Sequence, residues 1–255
     1  MHHFFVSPDR MDGEERKIVI DGSDVKHIRN VLRMKESEKM LISDGQGNDY
    51  VCEIEGFDID GADTVTARIL GEEFHGTELP TKIYLFQGLP KSDKMEWIVQ
   101  KAVELGVYAV VPVVTKRTIV KLDDKKEANK LKRWNLIAES AAKQSRRSII
   151  PKVTEVMSFQ EALGLAKDLS LNLIPYENFK DLKSTKEIVA GIVDKEGNKP
   201  ETIGIFIGPE GGFEESEVDL AMGMGVKPIS LGRRILRTET AGLMILSVLM
   251  FEIDE

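Results

Sequence analysis

The sequence predicts an α/β protein in which a small β-rich module precedes a larger domain of alternating strands and helices. Three observations lead to this prediction. The 255 residues are enough for one large domain or two ordinary ones, each with a full core. The first 71 residues alternate apolar and polar side chains with the period of half-buried strands. After residue 81, short apolar runs alternate with helical patterns, as in a parallel sheet covered by helices.

The N-terminal module is predicted to span residues 1–71 and to be barrel-like or sandwich-like. Its strands are expected at residues 17–20, 39–43, 49–54 and 64–70. Between two of these strands, Asp44-Gly45 and Gly47-Asn48 are typical turn signals. Residues 24–34 interrupt the strands with a predicted helix. One face of this helix is apolar and carries Val25, Ile28, Val31 and Leu32.

The larger domain is predicted to cover residues 81–255, after a linker at residues 72–80 that is polar and ends in proline. Its strands are expected at residues 82–87, 108–114, 171–174, 203–207 and 228–231. Its helices are expected at residues 92–105, 129–144, 158–167 and 241–251. The last helix is apolar on most sides but too short to span a bilayer, so we expect it to be buried.

The charge of the chain is unevenly distributed, although its formal net charge is −8. Between Lys91 and Lys152 there are 15 Lys and Arg residues but only 7 Asp and Glu residues. A basic central region is compatible with a polyanionic partner such as RNA. A solvated helix surface gives the same pattern, and charge alone does not separate the two interpretations.

The single cysteine, Cys52, excludes an internal disulfide framework and a multi-cysteine metal site. The histidines have no metal-ligand spacing, so we expect no metal. The N-terminus lacks the pattern of a secretory signal, which predicts a cytoplasmic protein without a membrane segment.

Two loops near the C-terminus are the most informative part of the chain. The predicted strand at 203–207 ends at Gly208-Pro209-Glu210-Gly211-Gly212, and a helical pattern follows. The glycines permit tight turns and close backbone approach to a ligand. Because Glu210 repels phosphate and no Lys-Ser/Thr pair follows, the loop fits an amine, ribose or adenine better than a polyphosphate. An ordinary strand-to-helix turn remains an equal alternative.

The second loop follows the predicted strand at 228–231 and is basic, with Arg233, Arg234 and Arg237. Arginines of this kind bind phosphate or hold a carboxylate in bidentate fashion. Thr238 is a candidate N-cap for the last helix, and one arginine can simply pair with Glu239. Ligands of open α/β sheets bind beyond the carboxyl ends of the strands, where both loops are expected to lie. The segment Pro175-Tyr176-Glu177 follows another strand and is predicted to join them.

Several separated motifs resemble the RsmE family of 16S rRNA methyltransferases, within the SPOUT superfamily. At the C-terminus they are Ile207-Gly208-Pro209-Glu210-Gly211-Gly212-Phe213, Leu231-Gly232 and residues 234–241, Arg-Ile-Leu-Arg-Thr-Glu-Thr-Ala. Residues 87–106, residues 141–147 and residues 27–33 also resemble signatures of the family. The resemblance runs nearly from end to end, and motifs found in this order are highly specific.

The resemblance implies a PUA-like RNA-binding β-barrel in residues 1–71 and a SPOUT domain with a C-terminal trefoil knot in residues 81–255. It implies S-adenosylmethionine as cofactor and methylation of N3 of a uridine in 16S rRNA of the small ribosomal subunit. It also implies a homodimer, with the apolar C-terminal helix at the interface. A SPOUT enzyme for tRNA or 23S rRNA, or a non-catalytic RNA-binding relative, is the alternative.

The motifs and the basic residues together provide candidates for cofactor binding and for RNA binding. The cofactor is expected to contact Pro175, Tyr176, Glu177, Ile207, Gly208, Pro209, Glu210, Gly211, Leu231, Gly232, Ile235, Leu236 and Arg237. The RNA is expected to contact Arg29, Arg33, Lys91, Lys94, Lys143, Arg146 and Arg147.

Arg237 and Glu239 are the predicted catalytic residues. Uridine N3 is a weakly acidic imide, so its proton must leave before or during attack on the methyl group. Arg237 is expected to stabilise the uridine anion or orient its phosphate. Glu239 is expected to orient Arg237 or assist removal of the proton.

Overall fold

A computed structural model describes residues 1–58, 61–72, 77–179 and 181–254. The chain divides into two compact units. One unit contains Met1–Glu78 and Ala142–Ile150, and the other contains Leu79–Ala141 and Pro151–Glu255. The boundary between residues 78 and 79 falls inside the predicted linker at 72–80, of which residues 73–76 lie outside the described ranges. The return of residues 142–150 to the N-terminal unit was not predicted, since the sequence suggested contiguous domains.

The N-terminal unit is built on a six-stranded sheet with the order β1-β4-β5-β6-β3-β2. The strands are β1 (His2–Phe5), β2 (Met11–Asp12), β3 (Lys17–Ile20), β4 (Lys39–Ser43), β5 (Asp49–Phe57) and β6 (Val65–Glu72). β1 pairs with β4 in parallel, and the other neighbours are antiparallel. The four predicted strands are present, and β1 and β2 are additions. Their alternating apolar residues, with Ile18, Met40 and Ile54 among them, form one buried core.

The helix predicted at 24–34 is present, but only its first part is an α-helix. It begins as α1 (Ser23–Lys26) and continues as a wider π-type helix, His27–Leu32, that ends at Arg33 in a left-handed conformation (φ 54°). A π-type turn holds more residues than an α turn and therefore rotates the following side chains. Ile28 is fully buried, whereas Val31 is 66% exposed and has left the predicted apolar face.

Residues 142–150 are attached to the N-terminal unit by buried polar contacts. Arg147 is only 3% exposed, and its Nε donates to both carboxylate oxygens of Glu78 at 3.2 Å. Ser148 donates its hydroxyl to Asp49 at 2.6 Å. Lys143 Nζ lies 3.0 Å from Asp24 Oδ2. A buried arginine needs such a carboxylate partner, because an uncompensated charge is costly away from water.

The second unit is built on a parallel sheet with the order β10-β8-β7-β12-β11-β13, and β9 pairs with β8. Its strands are β7 (Lys82–Gly88), β8 (Ala109–Val114), β9 (Lys152–Val153), β10 (Met157–Ser158), β11 (Leu171–Pro175), β12 (Thr202–Ile207) and β13 (Lys227–Ile229). β7 and β12 lie at its centre, and the rings of Phe86 and Phe206 stack across them with centroids 4.3 Å apart. The predicted parallel sheet is therefore present.

Six helices accompany this sheet in the described part of the chain. They are α2 (Lys94–Glu104), α3 (Asp124–Ser145), α4 (Phe159–Ala166), α5 (Leu182–Ala190), α6 (Glu215–Gly223) and α7 (Thr238–Ile253). α3 begins five residues before the predicted start at 129, and α5 was not predicted. Of the helices in the described ranges, none combines the length and apolar character needed to cross a membrane.

Candidate cofactor and catalytic site

A cavity of about 510 Å³ lies where the loops after β11, β12 and β13 meet the start of α7. Parallel strands bring their carboxyl ends to one edge of the sheet, which explains why these loops meet. Every residue predicted above to bind the cofactor lines this cavity, as do Arg233, Arg234, Thr238 and Lys94. The sequence prediction thus selected a set of residues that the fold brings together.

The glycine loop after β12 is packed too closely for larger residues. A Cβ atom on Gly208 would lie 2.9 Å from the carbonyl carbon of Gly212, and one on Gly88 would lie 2.6 Å from Pro209 Cδ. Gly212 has a φ of +67°, in the left-handed region that favours glycine. The glycines are therefore required by the turn itself, and they leave the backbone of the loop accessible from the cavity.

Arg117, in the loop after β8, holds the glycine loop from outside. Its Nη1 donates to the carbonyl of Gly211 at 2.7 Å, and its Nε donates to Glu214 Oε1 at 2.8 Å. The hydrogen bond and charge of Arg117 lower the pKa of Glu214, which is also the N-cap residue of α6. The sequence analysis missed Arg117, because nothing in its local sequence indicates a partner almost a hundred residues away.

The start of α7 is tied to the glycine loop by a chain of hydrogen bonds. Thr238 donates its hydroxyl to the carbonyl of Gly208 at 2.6 Å and accepts a hydrogen bond from Gln87 Nε2 at 2.9 Å. Thr238 is therefore the first helical residue, and the N-cap is Arg237, contrary to the prediction for Thr238. Gln87, which is fully buried at the end of β7, is a second residue that the sequence analysis missed.

The three arginines of the second loop are exposed beside the cavity. None of the carboxylates in the described residues forms an ion pair with Arg233, Arg234 or Arg237. The ion pair between one of these arginines and Glu239, which was the simpler interpretation of the sequence, is therefore not formed among the described residues. The guanidinium groups are available to an anionic or carbonyl-rich ligand.

Lys94, which is predicted to contact RNA, lines the cavity and lies beside two carboxylates. Its Nζ lies 3.1 Å from Glu210 Oε1 and 3.3 Å from Glu239 Oε2. Glu210 raises the pKa of Lys94 most, partial desolvation opposes the rise, and Glu239 adds to it. Desolvation acts to raise the pKa of Glu210, but its own amide, the Lys94 ammonium and the Lys91 amide outweigh this and lower it. Lys94 thus joins the glycine loop to the first turn of α7.

The other residues predicted to bind RNA fall into two groups. Arg33, Lys91 and Arg146 are exposed, as an RNA surface requires. Arg29 instead pairs with Asp58 and Asp63 and lies over the ring of Phe57. Lys143 pairs with Asp24, and Arg147 is buried against Glu78, as described above. The buried position of Arg147 contradicts its assignment to an RNA surface, because its guanidinium is not accessible to a polyanion.

Comparison with known proteins finds two matching families, in different parts of the chain. Residues 77–250 match the family of RNA methyltransferase domains, and residues 20–69 match the family of RNA methyltransferase PUA domains. The protein named ribosomal RNA small subunit methyltransferase E from Bacillus subtilis is 36% identical over 258 residues, which cover 100% of this chain and 98% of the relative. The chain belongs to the RsmE family.

Two solved structures are similar in fold to this RsmE chain. A ribosomal RNA small subunit methyltransferase E from Neisseria gonorrhoeae, bound to S-adenosyl methionine, is 30% identical with a TM-score of 0.81. The alignment covers 98% of this chain and 97% of that one. A Legionella pneumophila methyltransferase in complex with the same cofactor is 31% identical with a TM-score of 0.79, and the coverage is 97% and 96%. The predicted family and the predicted PUA domain are thereby confirmed.

Proposed function

We propose that this RsmE chain transfers a methyl group from S-adenosylmethionine to N3 of a uridine in 16S rRNA of the small ribosomal subunit. The observation that carries the proposal is the cavity at the carboxyl edge of the parallel sheet. It combines a closely packed glycine loop with exposed arginines and Lys94. The carboxylate of Glu239 is not part of the lining, but its Oε2 lies 3.3 Å from the Nζ of Lys94. The names of the relatives support the substrate class. The methylation is expected to take place in the cytoplasm, where small ribosomal subunits are assembled.

The cavity fits S-adenosylmethionine by the chemistry of its lining. The glycine loop contains an acidic residue and no phosphate-binding lysine, and the cofactor carries no phosphate. Backbone groups of Gly208, Gly211, Leu231 and Leu236 are suited to hold adenine and ribose, and Tyr176 offers a ring at the rim. When bound, the cofactor supplies a methyl group that its sulfonium has already activated. The contribution of the protein is then largely positioning and charge stabilisation.

Arg237 and Glu239 are the residues that we assign to the chemistry of the uridine. The Glu239 carboxylate accepts the proton from N3, which leaves the N3 electron pair available for the new bond to carbon. The negative charge then spreads over O2 and O4 of the ring, and the Arg237 guanidinium faces it with several N–H donors. Arg237 lines the cavity, is exposed, and forms no ion pair with a carboxylate of the described residues.

The proposal is tested by incubating the purified chain with labelled S-adenosylmethionine and either free 16S rRNA or assembled small subunits from a strain that lacks the activity. Nucleoside analysis is expected to find 3-methyluridine in one of these substrates. Label only in tRNA or 23S rRNA would favour another SPOUT activity. Saturable RNA binding without cofactor binding or transfer would instead identify a non-catalytic relative.

Arg117→Ala is expected to weaken the binding of S-adenosylmethionine by about fivefold, because the glycine loop loses two hydrogen bonds from a partly exposed guanidinium. Isothermal calorimetry measures the change. Lys116→Ala is the matched control, since its amide contact with Glu217 remains and only a surface contact with Ser216 is lost. Equal affinities of wild type and Arg117→Ala for S-adenosylmethionine would show that the Arg117 hydrogen bonds are not needed for cofactor binding.

We also propose the trefoil knot of the SPOUT fold and a homodimer with α7 at the interface. The exposed apolar side chains support the dimer: Phe251 is 76% exposed and Met244 41% on α7, and Trp97 is 44% exposed on the adjoining α2. Ile235 lines the cavity and is 87% exposed, so a second subunit is suited to cover that side. Light scattering after size-exclusion chromatography is expected to give twice the chain mass, and Phe251→Lys is expected to shift it toward one chain.

RNA binding by the exposed basic residues Arg33, Lys91 and Arg146 is expected to be strongly salt-dependent. Each phosphate contact releases counterions, so affinity falls as salt concentration rises. Filter binding of small-subunit RNA at several salt concentrations measures the slope, and Arg146→Ala is expected to reduce it by about one unit. A flat dependence would contradict the assignment of these three residues to RNA contact.

A further inference from the structure

The ammonium of Lys94 joins two carboxylates from different elements of the fold. Glu210 lies in the glycine loop after β12, and Glu239 lies in the first turn of α7. The Nζ of Lys94 is 3.1 Å from the first carboxylate and 3.3 Å from the second. A single side chain at the start of α2 therefore connects the loop expected to hold the cofactor with the residue expected to accept the N3 proton.

The position of the Glu239 carboxylate is expected to depend on the Lys94 ammonium. Its Oε2 is buried and has no hydrogen-bond partner among the described residues, and the Lys94 Nζ approaches it outside hydrogen-bond geometry. The Glu239 side chain is only 17% exposed, so water screens it incompletely. Without Lys94, the two carboxylates would lose the cation that lies within 3.3 Å of both, and their mutual repulsion would push the side chains apart.

A role for Lys94 as an RNA contact agrees less well with its surroundings. Its ammonium is already shared by two carboxylates, and their influence raises its pKa. The neighbouring Arg233, Arg234 and Arg237 line the same cavity, and in the described ranges no carboxylate forms an ion pair with them. A phosphate or a carbonyl oxygen of the base would therefore meet the arginines rather than Lys94.

We infer that Lys94 is a positioning residue for methyl transfer, which holds the Glu239 carboxylate in place and ties it to the Glu210 loop. The inference rests on the proposed function, because it assigns Lys94 to the same reaction. It implies two separate effects of Lys94. One acts on turnover through Glu239, and the other acts on cofactor affinity through Glu210.

The test compares Lys94→Met and Lys94→Arg with a matched control, Lys101→Met. Lys101 lies on the same helix, pairs with Glu104 at 2.8 Å and does not line the cavity. Lys94→Met is expected to lower kcat by about tenfold to a hundredfold, at or below the low end of what a positioned base contributes. The KM for RNA is expected to stay within about twofold. Lys94→Arg, which keeps the charge, is expected to recover most of the turnover, and Lys101→Met is expected to match the wild type.

A further readout separates positioning from simple stability. The Kd of S-adenosylmethionine, measured by calorimetry without RNA, is expected to rise about twofold to fivefold in Lys94→Met. If Lys94→Met does not fold, Lys94→Gln is used in its place, because glutamine keeps a hydrogen-bond donor but lacks the positive charge.

A double-mutant cycle decides whether Lys94 acts through Glu239. In the Glu239→Gln background, Lys94→Met is expected to change kcat by less than about twofold, since the group it positions is already lost. Multiplicative losses would overturn the inference, as would an increased KM for RNA with unchanged kcat. Failure of the proposed function looks different, because the wild-type chain itself would then form no 3-methyluridine.

Discussion

Replacing Arg237 with alanine is expected to slow methyl transfer by about 100-fold to 1000-fold, the effect of losing one donor aimed at developing negative charge. The uridine anion places charge on two ring oxygens, and Arg237 is the residue that we assign to face them. Its side chain is exposed and makes no ion pair in the described structure. The substitution should therefore leave the fold intact, and single-turnover transfer to small-subunit RNA measures the chemical step alone.

Two comparisons make this result specific. Arg237→Lys keeps the charge but loses the planar pair of donors, so we expect an intermediate rate. Arg233→Ala removes a neighbouring guanidinium from the same cavity and is expected to have a smaller effect. Because Arg237 also lines the cofactor cavity, the calorimetric Kd for S-adenosylmethionine is measured as well, and it separates an effect on cofactor binding from the effect on the chemical step. Turnover near the wild-type rate in this variant would refute the catalytic assignment.

Replacing Glu78 with alanine is expected to destabilise the N-terminal unit by about 3 kcal/mol, the low end for breaking a buried ion pair, because Glu78 is itself a quarter exposed. The Arg147 guanidinium loses its carboxylate in a site that is 3% exposed. The amides of Ser148 and Ile149 lose their acceptor as well. Hydrogen exchange in the amides of β4 and β5 measures the loss, since both tryptophans lie in the other unit.

The matched control is Glu53→Ala, which breaks an exposed pair with Arg68 in the same unit. We expect a loss of at most about 1 kcal/mol there. Glu78→Leu combined with Arg147→Met is expected to be more stable than Glu78→Ala, because no buried charge is then left without its partner. Equal exchange rates in Glu78→Ala and Glu53→Ala would mean that the Arg147 contact contributes little.

The strands and their order in the chain could be predicted because each one carries its own signal. β7, β8, β11, β12 and β13 are short apolar runs bounded by loops, and all lie within a few residues of their predicted ranges. The segment after α1 could not be predicted in the same way. Its apolar spacing resembles an α-helix, but burial of Ile28 and the left-handed turn at Arg33 select a wider turn.

The glycine loop of the site could be predicted, because its motif is contiguous in the sequence. The ion pairs between side chains that are distant in sequence could not be predicted. Gly208 and Gly211 stand in a motif of their own, so their neighbourhood can be recognised without a structure. Lys94 and Lys143 look like RNA-binding residues in a basic stretch, yet each faces a carboxylate more than a hundred residues away in sequence. Charge along a chain does not reveal such partners, because only the fold brings them together.

The central pairing of β7 with β12 has a consequence for how the protein is made. It matches Lys82 with Thr202, and the Lys91 amide meets Glu210 from 119 residues away. Contacts this distant in sequence form slowly, since a long stretch of chain must be closed first. The cavity lining also reaches Ala241. A chain still being synthesised therefore cannot complete the cavity until residue 241 has been added.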